Sequence, residues 1–171
     1  MESFRSLLHS RYSVRSYLDT PVEAEKLAQI LAAARLAPTA ANRQPFRIVV
    51  VQDPQQLAKF RPLCRFREPP LVLIVCGVPA EAWVRPSDGF SACLVDTSIV
   101  CDHMMLAATE LGLGSLWMTS FDLDGVRQAF GIARDLVPHH LLCLGYPAGE
   151  KASPDRFDTG RRPLSDLVSG L

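Results

Sequence analysis

Apolar residues recur at helical spacing in the amino-terminal part of the chain. Phe4, Leu7 and Leu8 predict a short first helix. The sequence Thr20-Pro21-Val22-Glu23 is typical of a capping box with proline at the first helical position, so a second helix is predicted to begin there. Pro38 limits the end of this helix. Its apolar face carries Leu27, Ile30, Leu31 and Ala34.

The segment from Ser91 to Leu111 is the longest helical candidate, and it is apolar on nearly all sides. Such a helix must be buried on several sides, by its own sheet or by a partner subunit. Gly112 is well placed to end it as a C-cap. Two shorter helices are predicted, one capped by Asp53 and running through Leu57 and Phe60, and one from Asp122 to Phe130 that Gly131 closes.

Short apolar and β-branched runs predict about four strands. The prolines and glycines of the stretch 79–90 predict a loop or irregular cover instead. Because helices outnumber strands and strict βαβ alternation is missing, the pattern predicts an α+β, three-layer α/β/α domain with a mixed or antiparallel central sheet. The predicted strands are Phe46–Val51, Leu71–Cys76, Ser115–Met118 and His140–Leu144.

Length, charge and hydropathy narrow the class of protein. The 171 residues predict a single domain over 1–171. Eighteen basic and eighteen acidic residues balance the formal charge, so no basic excess attracts nucleic acid or an anionic membrane. No apolar run approaches the roughly 18 residues of a membrane span, and Met1 to Ser10 lacks the apolar core of a signal peptide. We therefore expect a cytoplasmic protein.

The five cysteines stand singly, and most lie inside apolar runs. They are expected to be reduced and buried as small apolar side chains, which agrees with a reducing cytoplasm. Their spacing does not resemble that of metal ligands, so no metal site is predicted. They are Cys64, Cys76, Cys93, Cys101 and Cys143.

Two polar segments carry the most specific chemistry of the chain. In Arg11-Tyr12-Ser13-Val14-Arg15, two guanidiniums flank a hydroxyl, which suits a phosphate. In the segment 37–45, the carboxamides of Asn42 and Gln44 on a proline-bounded loop suit the polar edge of a planar heterocycle. Taken singly, the first could be a solvated basic turn and the second an ordinary loop. Together they predict a site for a phosphorylated flat ring.

Other candidate motifs are weaker. The Gly112-Leu113-Gly114 turn fails as a dinucleotide fingerprint, because Trp117 takes the third glycine position and the motif precedes a strand. The histidines have no serine or cysteine nucleophile in a recognisable elbow, so no catalytic acid, base or triad is assigned. Arg161-Arg162-Pro163 is either a charged tail or a completion of the phosphate site.

Taken in order, these motifs resemble the nitroreductase family of FMN-dependent oxidoreductases over nearly the whole chain. The resemblance begins with R-Y-S-V-R at 11–15 and A-P-T-A-A-N-R-Q-P-F at 37–46. It continues through L-A-A-T-E-L-G-L-G-S-L-W at 106–117, F-D at 121–122, L-G-Y-P at 144–147 and R-R-P-L at 161–164.

The resemblance implies an intertwined homodimer with FMN sites at the subunit interface. Arg11, Ser13, Arg15 and Arg161 would hold the phosphate, with Arg162 as the alternative to Arg161. Thr39, Asn42 and Gln44 would face the ribityl chain and ring edge, from either subunit. The stretch 117–120 would run along the ring, with a backbone N–H near Thr119 or Ser120 aimed at flavin N5. The implied cofactor contacts are Arg11, Tyr12, Ser13, Arg15, Thr39, Asn42, Gln44, Trp117, Met118, Thr119, Ser120, Arg161 and Arg162.

The same resemblance implies a ping-pong NAD(P)H oxidoreductase. NADH or NADPH would deliver hydride to flavin N5, and a nitroaromatic, a quinone or another small electron acceptor would take the electrons. The alternatives are an FMN-binding protein without efficient turnover, for sequestration or delivery, and the flavin-destroying branch of the superfamily. Thr159 stands where many relatives carry a phosphate-binding lysine, and the short segment after Gly77 leaves the acceptor open.

Overall fold

The fold is described from a computed structural model that covers residues 3–153 and 155–170. Met1 and Glu2 of the amino-terminal stretch, and Leu171 at the end of the carboxy-terminal segment, lie outside these ranges. Among the described residues, none of the helices combines the length and apolar character needed to cross a lipid bilayer.

A four-stranded sheet forms the centre of the fold. Its strand order is β1-β2-β4-β3, and all neighbouring strands are antiparallel. The prediction of a mixed or antiparallel sheet is therefore confirmed in its antiparallel form. The fourth strand begins three residues earlier than predicted, because Val137 and Pro138 continue its pairing with β2 beyond a register shift. The strands are β1 Phe46–Val51, β2 Leu71–Gly77, β3 Gly114–Met118 and β4 Val137–Gly145.

Helices cover both faces of this sheet, as the three-layer prediction requires. On one face, Leu73 of β2 packs in a core with Ile30 and Val100. On the other, Ile74 packs in a core with Phe60 and Val126. Alternate residues of β2 point to opposite faces, so the strand is buried along its whole length. The helices are α1 Phe4–Ser10, α2 Ala24–Leu36, α3 Pro54–Leu57, α4 Cys93–Glu110, α5 Leu123–Ala129, α6 Arg156–Gly160 and α7 Leu164–Leu167.

The predicted capping box is wrong. Helix α2 begins at Ala24, and its N-cap Glu23 makes no side-chain capping bond. Instead, the Glu23 carboxylate accepts a hydrogen bond of 2.7 Å from the Tyr146 hydroxyl. Val22 is buried in the core beside α2. These tertiary contacts hold the residues before Ala24 in an extended path, so the local capping pattern is not used.

The long apolar helix is confirmed as α4, slightly shorter at both ends than its predicted range. Ser91 lies before the helix because it pairs with Val84 in an isolated bridge. The bridge closes a tight turn within the predicted loop, which also contains a 3₁₀ turn over Pro79–Glu81. Gly112 ends the helix as predicted, with a left-handed φ of 78° that a side chain would disfavour.

All five cysteine thiols are free, and four are buried as predicted, while Cys64 is half-buried.

Helix α6 was not predicted from the sequence. It is only five residues long and lacks an apolar face, so its position depends on contacts with α1.

Candidate functional site

The amino-terminal segment with the two arginines lies against β3, which is an edge strand. The Val14 N–H donates to the Ser115 carbonyl at 2.9 Å, and Ser13 and Ser115 form a parallel bridge. Farther along, the Leu18 N–H donates to the Tyr146 carbonyl at 2.9 Å. The segment 13–18 is thereby held against the start of β3, at Ser13, and against the residues that follow β4, at Leu18.

Gly114 makes this close approach possible. A Cβ atom at position 114 would lie 2.5 Å from Val14 Cγ2 and 2.9 Å from Val14 Cβ. We expect Gly114→Ala to displace the segment and to lower the free energy of unfolding by about 2 kcal/mol, the usual scale of overpacking. Chemical denaturation measures this change. The matched variant Gly160→Ala adds a methyl group in open space and should change stability by less than about 1 kcal/mol, so equal losses would contradict the packing argument.

Three guanidiniums converge near the start of β3. Arg11 is half-buried, and burial lowers its pKa below the usual value; the nearby Arg156 and Arg161 lower it further, while Asp102 opposes them. The Arg156 Nη2 donates to the Arg11 carbonyl at 2.9 Å and also to the His9 carbonyl. Arg161 lies over the Phe157 ring, 5.7 Å from its centroid. This excess of positive charge is suited to an anion such as a phosphate.

Arg156 is a member of this cluster that sequence reasoning missed. It follows a loop and has no neighbouring motif, so no local signal marks it. Its guanidinium also lies over the Phe157 ring, 4.2 Å from the centroid. Through these hydrogen bonds Arg156 holds α6 against the end of α1, and Arg161 is thereby placed near Arg11.

The two remaining predicted residues of the segment, Arg15 and Tyr12, differ in their exposure. Arg15 is exposed, and its Nη1 donates to the Ser13 carbonyl at 3.1 Å. Tyr12 is half-buried and lines a cavity of about 650 Å³ together with Ser10, Pro147 and Arg156. Arg162 is exposed and follows Arg161 in the turn before α7.

The loop that carries the two carboxamides has an unusual backbone. Ala41, Asn42 and Gln44 have φ values of 51°, 53° and 52°. This left-handed region costs a residue with a side chain roughly 1 kcal/mol or more. Three such residues within four positions make this loop a candidate functional element.

Short hydrogen bonds fix the shape of this loop. The Gln44 N–H donates to the Thr39 hydroxyl at 3.0 Å, so Thr39 closes the loop. The Gln44 Nε2 donates to the Asn42 backbone carbonyl at 3.1 Å and lies 3.3 Å from the Asn42 side-chain Oδ1. Both carboxamides are exposed and lie next to each other.

The structure does not bring this loop beside the arginine cluster of the same chain. The loop leads into β1, which lies at the opposite edge of the sheet from β3. Three strand spacings separate these edges, which amounts to about 14 Å. The predicted contact residues therefore fall into two groups on opposite edges of one chain.

The stretch 117–120 belongs to the β3 group, at the far end of that strand. Trp117 and Met118 are half-buried within β3, and Thr119 and Ser120 follow it on the surface. Ser115 and Thr119 are four residues apart, which corresponds to about 13 Å along an extended chain. The strand thus joins the arginine cluster at one end to the exposed Thr119 and Ser120 at the other.

A buried polar cluster that the sequence did not indicate supports this end of the sheet. The Thr97 Oγ1 lies 2.9 Å from His139 Nδ1 and 3.3 Å from His140 Nε2. The His140 ring meets the Trp117 ring edge-on, with 5.0 Å between centroids. Burial, and to a smaller extent the neighbouring His139, lower the pKa of His140 to about 4. His140 is therefore neutral and structural near neutral pH.

This depressed pKa predicts a dependence of stability on pH. Unfolded His140 takes up a proton near pH 6.5 and the folded residue only near pH 4, so its contribution to stability is present above pH 6.5 and is lost as the pH falls toward 4. We expect the free energy of unfolding to fall by about 2 kcal/mol between about pH 7.5 and about pH 5.

Denaturation of the His140→Asn variant at both pH values measures this contribution. The loss on acidification should be smaller than in the wild type, because the titrating group is gone. Leu142→Ala, on the same strand, should lower stability equally at the two pH values, since it removes no titrating group. An unchanged pH dependence in His140→Asn would refute the assignment.

Known proteins show the same fold and sequence features. The nitroreductase family model matches residues 8–67 and 64–146. A solved structure of a nitroreductase family protein from Clostridium difficile 630 is 43% identical, covers 98% of both chains and has a TM-score of 0.95.

Two further relatives carry more specific names. The FMN reductase (NAD(P)H) of Bacillus subtilis (strain 168) is 28% identical over 175 residues, which are 91% of this chain and 70% of the relative. An FMN-dependent nitroreductase from Clostridium difficile R20291 is 26% identical, covers 85% of this chain and 88% of its own, and has a TM-score of 0.73. With the family model matching most of its length, the chain belongs to the nitroreductase family, as its motifs predict.

Proposed function

We propose that this chain is an FMN-dependent NAD(P)H oxidoreductase whose single domain, residues 1–171, binds the cofactor along β3. The convergence of Arg11, Arg156 and Arg161 at the start of that strand carries the proposal. A cluster of guanidiniums suits a dianionic phosphate. Its relatives named an FMN reductase and an FMN-dependent nitroreductase support the choice of FMN as the phosphorylated ring.

The residues present fit this cofactor in order along the strand. Arg11, Arg15 and the Ser13 hydroxyl would hold the phosphate, and Arg161 would join them. Arg161 is favoured over Arg162 because it is the one whose charge acts on Arg11. The exposed backbone at Thr119 and Ser120, with Trp117 and Met118 before it, would run along the ring at the other end of β3.

We propose further that the functional unit is a homodimer. The loop with Thr39, Asn42 and Gln44 lies at the opposite edge of the sheet from the arginines, so it would serve the site of the partner subunit. Helix α4 also exposes Leu94 and Val95, at 55% and 47% of their surface, on a helix that is otherwise mostly buried. A partner subunit would cover this apolar surface.

Bound FMN would supply the redox chemistry, by accepting hydride from NADH or NADPH and passing electrons in a ping-pong sequence to a nitroaromatic, a quinone or another small acceptor. The chain itself would bind and orient the cofactor. The arginines would neutralise the phosphate, and the carboxamides of Asn42 and Gln44 would fix the edge of the ring. No side-chain acid or base is assigned to the reaction.

The decisive experiment starts from the purified, full-length protein. We expect it to be yellow and to release FMN on denaturation. Anaerobic addition of NADH or NADPH should rapidly bleach the flavin absorption band, and addition of a quinone or nitroaromatic should restore it. A bound flavin that is stable to both nucleotides would reject the reductase and leave a flavin-sequestering or flavin-delivering protein. A purified protein that neither retains nor takes up FMN would reject the cofactor assignment.

A further inference from the structure

A buried carboxylate on α4 is bonded to the carboxamide loop. Asp96 lies in the first turn of α4, and only 1% of its surface is exposed. Its Oδ1 accepts a hydrogen bond of 2.8 Å from the Ala40 N–H. Within the described part of the chain, no basic side chain forms an ion pair with this carboxylate, and its Oδ2 has no hydrogen-bond partner.

Burying a carboxylate without a cation is costly, and side chains of this kind are seldom kept unless they perform a task. An acidic residue in the first turn of α4 also interacts favourably with the helix dipole, but that interaction does not require a hydrogen bond to a distant segment. The hydrogen bond that the Asp96 carboxylate accepts from the Ala40 N–H is the specific interaction that this side chain makes. It therefore links this aspartate to the loop as well as to the start of the helix.

The position of Ala40 makes this bond important for the shape of the loop. It directly precedes Ala41 and Asn42, whose left-handed backbone is unfavourable for residues with side chains. The Thr39 hydroxyl and the Asn42 carbonyl bond the loop to itself. Asp96 instead bonds the loop to helix α4. Just after the loop, the Pro45 carbonyl accepts a hydrogen bond of 2.9 Å from the Val78 N–H.

We propose that Asp96 is a positioning residue that holds the 39–44 loop in its cofactor-binding shape. This inference rests on the proposed FMN site, and it adds a residue that would contact neither the cofactor nor the substrate. The Asp96 carboxylate acts through the Ala40 N–H, which sets the path of the chain that presents Asn42 and Gln44. The required feature is an acceptor oxygen at this place.

Three variants test this role through FMN affinity, measured by quenching of flavin fluorescence. Asp96→Ala removes the acceptor and should raise the dissociation constant about tenfold, the scale of a hydrogen bond to a charged group. Asp96→Asn keeps the Oδ1 acceptor and should stay within about threefold of wild type. Val100→Ala removes buried atoms from the same helix without touching the loop; it should lower the melting temperature and leave FMN affinity unchanged.

Each outcome decides the proposal. Loss of affinity in Asp96→Ala with rescue by asparagine supports it. Wild-type affinity in Asp96→Ala overturns it, and so does equal loss in the alanine and asparagine variants, because charge and not the acceptor would then matter. If Asp96→Ala does not fold, Asp96→Ser, whose hydroxyl is too short to replace the carboxylate, takes its place with the same expectations.

A second measurement separates this proposal from the proposed function. Hydrogen exchange of the Ala40 amide, followed by NMR without FMN, should be slow in the wild type and in Asp96→Asn, and at least tenfold faster in Asp96→Ala. A wild-type protein that fails to bind FMN rejects the proposed function, while a protected Ala40 amide would still support the contact. An unprotected Ala40 amide in the wild type overturns the role of Asp96 even if FMN binds.

Discussion

Replacing Arg11 by alanine should raise the dissociation constant for FMN roughly a hundredfold, a loss of about 3 kcal/mol. Arg11 is half-buried, and Arg156 and Arg161 lie close enough to depress its pKa. A phosphate placed there would accept charge-assisted hydrogen bonds from Arg11 in partly desolvated surroundings, where such bonds are strongest. Titration of the apoprotein with FMN measures the loss directly.

Arg162→Ala is the matched control for this experiment. It removes an exposed guanidinium next to Arg161, so the overall charge changes equally. We expect less than about a threefold change in FMN affinity, because exposed charges are screened by solvent and salt. Equal losses in the two variants would show that general positive charge attracts the cofactor. Unchanged affinity in Arg11→Ala would remove the phosphate site from the start of β3.

Replacing Phe60 by alanine should lower the free energy of unfolding by about 4 kcal/mol. The side chain is fully buried on the sheet face opposite α4. It stacks on Phe130 at 4.5 Å and on Phe66 at 5.5 Å between ring centroids. The variant loses both aromatic contacts and leaves a cavity between α3, α5 and the sheet, which rigid secondary structure does not fill. Urea denaturation at fixed protein concentration measures the change.

Phe90→Ala provides the comparison, because Phe90 is 44% exposed and contacts the Arg85 guanidinium at 4.7 Å from the ring centroid. It should cost less than about 1 kcal/mol. Flavin affinity should be retained in Phe60→Ala below its melting temperature, since the proposed site lies at the edges of the sheet. A loss below about 1 kcal/mol in Phe60→Ala would show that the cavity collapses or that this core is not a single packed unit.

Helices and strands with strong patterns were predictable because their signals are local. The run 71–76 is continuously apolar, and its burial on both faces follows from that pattern alone. Asp53 caps α3 as predicted, with its side chain accepting a hydrogen bond from the Gln56 N–H at 3.0 Å. At Thr20 to Glu23 the same reasoning failed, because the Glu23 contact with Tyr146 joins residues 123 positions apart.

The candidate site also has a part that the sequence predicts and a part that depends on distant contacts. The two segments at 11–15 and 37–45 already carry the guanidiniums and carboxamides of the proposed site for a phosphorylated ring, because those chemical groups belong to the residue types themselves. The residues that contact these segments or support β3 beside them, Arg156, Asp96 and His140, have no distinctive neighbours along the chain. Each is identified only by what it contacts across the fold.

By itself, the sequence determined the family and the order of the strands and the longer helices, and it suggested the chemistry of the proposed ligand. The tertiary structure decided where these groups lie. It placed Ser13 beside Ser115 and brought Arg161 toward Arg11, and it left Asn42 and Gln44 at the opposite edge of the sheet. The physical reason is that strand order and edge packing depend on contacts between distant segments, which no local pattern of polar and apolar residues specifies.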